Sequence, residues 1–501
     1  MKKFLGSLLA MAALMSSAAT AAPASDLEGL VDLVQRFKDA TQHPSGTAVA
    51  VVKDGKLVYE GYFGYADINA RTRVDRDTSF YIASTTKPFF ALNILLKENE
   101  GKLDTTTSLQ DAFPGIGFNG FDATAVTIRD LLVHTSGVDN QPLVWATAFS
   151  GIHNARSRHG LVANSYPAAD APRGTFKYTN VGYNILSVWL DDKFQTPWQD
   201  QLQDSIFSPL GMARTSAYIS EAEAKGWPLA KPYSVAGVDR NEPLYLRKSD
   251  DTMQAAGGLV STAPDLARFL IAQLEGGRLD GRQVLPESVI GKSHAPQAKA
   301  DKGYLDFERT GYAWGWYTGA YKGRQMLHHF GAFPGFHAHL SFIPEAGIGL
   351  VVLNNEDFLG AHLSSLIADY AYGVLLDEPD IQSKVSARLD ELLQKAAGLQ
   401  KTAASEQQKI QGRAWDLSLP HRAYAGTYSN DLLGDMTVAV EGDRQMVIRW
   451  GKLTAVAAGY DRKDHVRVEF SPHAGDLLTF VLKADKVDAI TFEGMTFKKA
   501  P

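Results

Sequence analysis

Between residues 81 and 96 the chain reads Tyr81-Ile82-Ala83-Ser84-Thr85-Thr86-Lys87-Pro88 and then runs from Phe89 to Leu96 with Asn93 as the one polar residue. A segment apolar on every face of a helix belongs inside the molecule, and Pro88 suits the first turn of such a helix. This run therefore commits the chain to a large core and sets Ser84 and Lys87 at the start of a buried helix. Three residues apart, the two side chains share one helix face, so the Lys87 amine can reach the Ser84 hydroxyl. Serine is a weak nucleophile that needs a neighbouring base, and a lysine whose charge is suppressed by burial can be one. On the order of one Ser-x-x-Lys arises by chance in a chain of this length. The meaning of the pair depends on the other residues.

The chain has 501 residues, 45% hydrophobic and 21% charged, enough material for a sizeable core and for more than one domain. A net charge of −6 and a pI near 6.1 argue against nucleic acid or an anionic membrane as the main partner. A substrate of small-molecule or peptide size is expected instead. Lys2-Lys3, the apolar stretch Phe4 to Met15 and Ala19-Thr20-Ala21 have the order of a secretory signal with a small-residue cleavage site. Residues 1–21 are thus expected to be removed on export to a periplasm, with no membrane anchor. The chain has no cysteine, so neither a lipid-attachment cysteine nor a disulfide is available.

Asp26 to Gln42 carries the period of an amphipathic helix, through Leu27, Leu30, Leu33, Val34 and Phe37. Thr47–Val52 and Leu57–Phe63 flank Lys53-Asp54-Gly55-Lys56 as a hairpin. The Ser84 helix is expected to reach about Asn99, with Gly101 beyond it, and Thr127–Val133 to form a short helix closed by His134-Thr135-Ser136-Gly137. Asp139 to Arg173 shows no strong period and reads as a loop over a site. Tyr183–Leu190 is a helical apolar run, and Thr262 or Ser261 caps a helix with Pro264 in its first turn. Ala338–Ile343 and Gly349–Leu353 are strands about a Pro344-Glu345-Ala346-Gly347 turn. Past Pro379 a helical stripe runs from Val385 to Ala396, Gly398–Gln411 reads as a polar linker, and short strands follow from Tyr424 to Phe492. Strands at that spacing, with no helix between them, suggest a small antiparallel barrel or sandwich.

Two further motifs join Ser84-x-x-Lys87: Tyr178-Thr179-Asn180, and His329-Phe330-Gly331-Ala332 at the head of an expected strand. Together, and in this order, the three resemble the motifs of the serine β-lactamase and penicillin-binding-protein superfamily. Tyr-x-Asn with His-x-Gly is most similar to its class C-like esterase and D-peptidase branch. Leu131 to Gly137, Gly257-Gly258 to Asp265 and Gly335-Phe336 fit as well, so the resemblance covers about Asp26 to Leu375. It implies a mixed α+β fold, an antiparallel sheet flanked by helices with an all-helical subdomain, over residues 22–378. A helical linker over 379–415 and a small all-β barrel over 416–501 would follow. Tyr424-Ala425-Gly426-Thr427-Tyr428 resembles part of the lipocalin-like domain appended to some peptidases of the family, where it contributes to assembly and to the site entrance. An oligomer formed through that domain is thus an open option.

The resemblance also implies roles. Ser84 would form an acyl-enzyme, and Lys87 and Tyr178 would handle its proton, with the choice of base between them left open. Asn180 would hold Lys87 and a substrate carbonyl or amide. His329 and Gly331 belong to the third motif, and the backbone N–H groups of Ser84 and Ala332 would form an oxyanion hole. His134 reads as a structural turn residue, and Gly257 and Gly258 as servants of backbone geometry. A neutral His329 and the hydroxyl-free Phe330 weaken carboxylate recognition at the third motif, which favours an ester, an amide or the amino end of a D-peptide over a β-lactam. A β-lactamase or D-Ala-D-Ala carboxypeptidase is the nearest alternative, and a penicillin-binding sensor without turnover a more distant one. A metallo-hydrolase built on His328, His329, His337 and His339 lacks the usual zinc spacings, and no metal or cofactor is expected.

Overall fold

The computed structural model describes residues 27–501 apart from Val238 and Asp443, so the expected signal segment 1–21 lies outside the described residues. Among the described residues, eight antiparallel strands make the main sheet. Their order is Ala298–Lys299, Gly311–Tyr312, Tyr317–Tyr321, Arg324–Phe333, Phe336–Ile343, Ile348–Asn354, Thr47–Lys53 and Lys56–Phe63. The first hairpin forms where Asp54 and Gly55 take up φ of 49° and 71°, as a tight two-residue turn requires. Both faces of the sheet are covered, so the strand Thr47–Lys53 is buried almost throughout while its side chains still alternate. Val49 and Val51 face the helices Gly29–Thr41, Gly360–Leu375 and Ile381–Gln411, whereas Ala48, Ala50 and Val52 face the helical side of the molecule. The small Ala48 and Ala50 leave room there for the helix Ala263–Leu274, which Thr262 caps by accepting the Asp265 N–H.

The helix Lys87–Asn99 is buried on every face over its first ten residues, as its sequence demands. A single 3-10 turn, Ala83–Thr86, precedes it, so Ser84 sits on that turn and not in the α-helix itself. The segment Asp139–Arg173 departs from the expected loop. It holds the helix Gln141–Trp145, a wider turn Ala146–Ser150 and the helix Ala155–Ala163. Asn140 and Asn154 cap the two helices, and local capping with tertiary burial stands in for the missing amphipathic period.

The stretch Gly398–Gln411, expected as a linker, continues the helix from Ile381 to Gln411 without a break. One glycine inside a helix costs only about 1 kcal/mol, and the Lys, Ala, Glu and Gln residues around Gly398 are good helix formers. Beyond it, nine strands from Gly426 to Lys499 pair in chain order, and Met495–Lys499 returns to pair with Gly426–Asn430. The ladder is interrupted only between Leu453–Val456 and Ala458–Gly459, which Ala457 joins, so the barrel is nearly closed. Its interior holds Trp450, Phe470, Phe480, Phe492 and Phe497. Trp145, at the end of the helix Gln141–Trp145, enters this interior, with its ring 4.8 Å from Phe492 and 5.9 Å from Trp450. The Lys452 N–H donates to the Ser150 carbonyl beside it (2.8 Å). The barrel and the larger unit therefore share one continuous apolar core.

Candidate active site

Ser84 is delivered by a strained backbone. Ala83 has φ of 45°, a left-handed conformation that costs a non-glycine residue about 1 kcal/mol or more and that recurs where a fold presents a reactive group. Being early in a 3-10 turn, the Ser84 N–H has no partner within that turn. The strand Arg324–Phe333 runs against this backbone. A Cβ on Gly331 would lie 1.9 Å from the Ile82 carbonyl oxygen, so only glycine fits. Phe333 pairs with Phe336 across Pro334-Gly335, and ladder hydrogen bonds alternate along an antiparallel pair. The Ala332 N–H, one residue back, consequently points away from the neighbouring strand and toward residues 82–84. His329 is the sixth residue of this strand and does not head it, as the sequence had suggested.

The Lys87 amine is fully buried, and it lies 3.0 Å from Ser84 Oγ, 2.9 Å from Asn180 Oδ1 and 2.8 Å from the Ala256 carbonyl oxygen. Among the described residues no carboxylate pairs with it, and burial holds its pKa well below the ordinary 10.5. In its neutral form the amine has two N–H bonds and one lone pair, and with the N–H groups given to the Asn180 and Ala256 carbonyls the lone pair would be left for the Ser84 hydroxyl. The Tyr178 ring centroid lies 4.8 Å from Lys87 Nζ. Burial, reinforced by Tyr317, raises the Tyr178 phenol well above its usual range, so it stays protonated. The Ser84 hydroxyl and Arg309 pull the other way without cancelling this.

His329 faces the same cluster as a neutral ring, held well below its usual range first by burial and then by Lys87. Its Nδ1 donates to the Phe330 carbonyl (2.8 Å) and its Nε2 accepts from the Tyr312 hydroxyl (3.3 Å), so both nitrogens are engaged. The structure thus brings Ser84, Lys87, Tyr178, Asn180, His329, Gly331 and Ala332 to one place.

The site and the chain agree with one known family: the family described as Beta-lactamase matches residues 30–371. The chain belongs to the beta-lactamase family. Among curated relatives, the unguisins hydrolase of Aspergillus violaceofuscus is 27% identical over 334 residues, covering 62% of this chain and 58% of that protein. A penicillin-binding protein of Bacillus subtilis is 26% identical over 330 residues, covering 63% and 69%. Among solved structures, the octameric penicillin-binding protein homologue from Pyrococcus abyssi superposes with a TM-score of 0.61 at 22% identity, covering 95% of this chain and all of that one. Its fold is therefore the same.

Several parts of this beta-lactamase-family site had no signal in the sequence. The Ala256 carbonyl is one, although the following glycines hint at it. Gly258 packs so closely that a Cβ would meet the Met253 backbone at 2.5 Å, which fits its expected backbone role, whereas a Cβ on Gly257 would make only ordinary contacts, the nearest at 3.4 Å. His134 is structural, as expected: its ring packs on Tyr178 (4.6 Å) and Tyr312 (4.7 Å), and its Nδ1 accepts the Thr179 N–H. Tyr312, Tyr317 and Arg309 complete the wall beyond Tyr178 and belong to no motif. His328, His337 and His339 face the opposite side of the sheet, among Phe307 and Phe330. Among the described residues, no group of three His, Asp or Glu side chains is arranged to hold a metal ion.

Proposed function

We propose that the protein hydrolyses ester or amide bonds, including those of D-amino-acid peptides, through an acyl-Ser84 intermediate. The observation that carries this reading is the fully buried Lys87 amine, 3.0 Å from Ser84 Oγ, with burial holding its pKa well below the ordinary lysine value. Lys87 takes the hydroxyl proton as Ser84 Oγ bonds to the acyl carbon, and the carbonyl oxygen gathers charge between the N–H groups of Ser84 and Ala332. Collapse of this intermediate breaks the bond to the leaving group, which takes up a proton from the protonated Tyr178, and Lys87 restores the phenol. Water then attacks the acyl carbon and gives its proton to Lys87, and as the Oγ–carbon bond breaks Lys87 passes that proton to Ser84 Oγ. Asn180 spends its carbonyl on Lys87 and keeps its amide N–H groups for a substrate carbonyl.

The third motif supports esters or amides ahead of β-lactams as substrates. Both nitrogens of His329 are occupied by its neighbours, so no strand cation is offered at the position where a lysine would meet a β-lactam carboxylate. The names of the relatives, a hydrolase and a penicillin-binding protein, are compatible with this chemistry. Treatment with an alkyl fluorophosphonate followed by peptide mass spectrometry should find the adduct on Ser84. An adduct on another residue alone, or activity that survives in Ser84→Ala, refutes the proposal. Export to the periplasm is part of the same reading, and N-terminal sequencing of the mature protein should begin at Ala22.

A further inference from the structure

The strand Arg324–Phe333 that carries Ala332 turns back through only two residues, since Phe333 pairs with Phe336 across Pro334-Gly335. Proline holds φ at about −65° in the first of them, which excludes the two turn types that follow the twist of a hairpin. Gly335, at φ of 82°, fits the second central position of a type II turn, which splays its strands. In such a turn Pro334 has no N–H to give, and the Gly335 N–H finds no acceptor within the turn. Its acceptor is Asp357 Oδ2, 2.8 Å away. On another side the turn is pressed against Pro232, whose Cβ would lie 2.1 Å from a Cβ on Gly335.

Asp357 stands on an anchored backbone. The neighbouring Glu356 accepts the N–H groups of Val235, Phe358, Leu359 and Gly360, and the Asn355 carbonyl accepts that of Tyr233. The Asp357 carboxylate is nonetheless costly to keep there. Burial raises its pKa above the ordinary carboxylate value, opposed first by the Gly335 N–H and then by the Ser234 hydroxyl and His473 of the barrel. A charge-assisted bond to a main-chain N–H is stronger than a neutral one, so the contact that best offsets this cost is also the one that fixes the turn. We propose that Asp357 is a positioning residue for acyl transfer: by gripping the Gly335 N–H it keeps the end of the hairpin, and with it the Ala332 N–H, aimed at the oxyanion. The second donor, the Ser84 N–H, stands on the separate turn Ala83–Thr86 and does not depend on this contact. This inference rests on the acyl-Ser84 reading above.

The test compares p-nitrophenyl acetate with its thiono twin, in which sulfur replaces the carbonyl oxygen, as a ratio of kcat/KM within one protein. Sulfur is larger and a weaker acceptor, so the ratio reads how well the donors meet the developing oxyanion. The wild type should favour the oxygen ester by about a hundredfold. Asp357→Ala, which leaves the Gly335 N–H without its acceptor, should bring the ratio down to about tenfold through kcat, with KM little changed. Asp357→Asn keeps an acceptor oxygen and should retain the wild-type ratio. A merely structural role would lower both rates together and leave the ratio. Should Asp357→Ala fail to fold, Asp357→Glu, which keeps the charge but moves the acceptor by one methylene, carries the test with a ratio between those two values. A wild-type ratio near one overturns the inference. So does a ratio unchanged in whichever of the Ala and Glu variants folds, or one lowered as much by Asp357→Asn as by Asp357→Ala. In any of these cases, loss of ester hydrolysis in Ser84→Ala leaves the hydrolase reading intact, whereas hydrolysis that survives Ser84→Ala refutes both.

Discussion

Replacing His328 with leucine should make the protein more resistant to acid, by an amount the structure fixes. His328 lies on the sheet face away from Ser84, stacked on Tyr317 and packed against Phe307 and Phe330. Both of its ring nitrogens are buried without hydrogen-bond partners. Burial, helped by the nearby Arg309 and only weakly opposed by the Glu308 carbonyl, lowers its pKa from 6.5 to about 3. The folded-state pKa lies below that of the unfolded chain, so the unfolded chain binds the proton first as pH falls. Stability is then complete above about pH 6.5 and declines down to about pH 3. With these two values the loss between pH 8 and pH 5 is about 2 kcal/mol from this residue alone. Leucine removes the proton site, whatever packing offset it introduces at pH 8. The difference between variant and wild type should therefore move by about 2 kcal/mol in favour of the variant between pH 8 and pH 5. Urea titrations of both proteins at the two pH values, followed by tryptophan fluorescence, measure it. Parallel changes in the two proteins would refute the argument that His328 is held neutral by its surroundings.

Three other perturbations follow from the site and its supports. The pH dependence of kcat/KM should show an acid limb, because activity needs neutral Lys87 and is lost as pH falls through its depressed pKa; activity still climbing up to the ordinary lysine value of 10.5 would contradict this. Gly331→Ala should cut kcat by about a hundredfold or more, since the new Cβ meets the Ile82 carbonyl at 1.9 Å and displaces the Ser84 and Ala332 N–H groups; steady-state assay showing full kcat would rule that out. Trp145→Ala should cost about 3–5 kcal/mol, loosening the barrel and exposing the chain near Gly412 to limited proteolysis, whereas an unchanged melting temperature would show that the barrel is held elsewhere.

The parts of the molecule legible in the sequence are those where local chemistry and tertiary position agree. The helix behind Ser84 could be read because its residues are apolar on all sides, and the first hairpin because Asp54-Gly55 has the turn chemistry. The ordered motifs brought Ser84, Lys87, Tyr178, Asn180 and His329 into one site before any coordinates. What escaped depends on distant partners. Asp139–Arg173 is helical because Asn140 and Asn154 cap it and Trp145 finds a barrel some three hundred residues away in the chain, and none of that leaves a period in the sequence. Arg309 belongs to no motif, and only the fold lays its guanidinium on the Tyr317 ring. The unbroken helix to Gln411 is not legible past Ala396, because the polar composition of Gly398–Gln411 does not distinguish a solvated helix from a loop.

The close approach of Gly331 to Ile82 has a consequence for anyone seeking to alter what the site selects. On that side of the site two main chains touch with no side chain between them, so substitution has nothing there to enlarge, shrink or recharge. Variation is confined to the opposite bank, where Tyr317, Arg309 and Thr175 stand over open space beside the fixed Tyr178. A mutant library would spend its diversity well on those three positions and waste it along the strand, since the strand supplies a fixed edge against which every new pocket must be built.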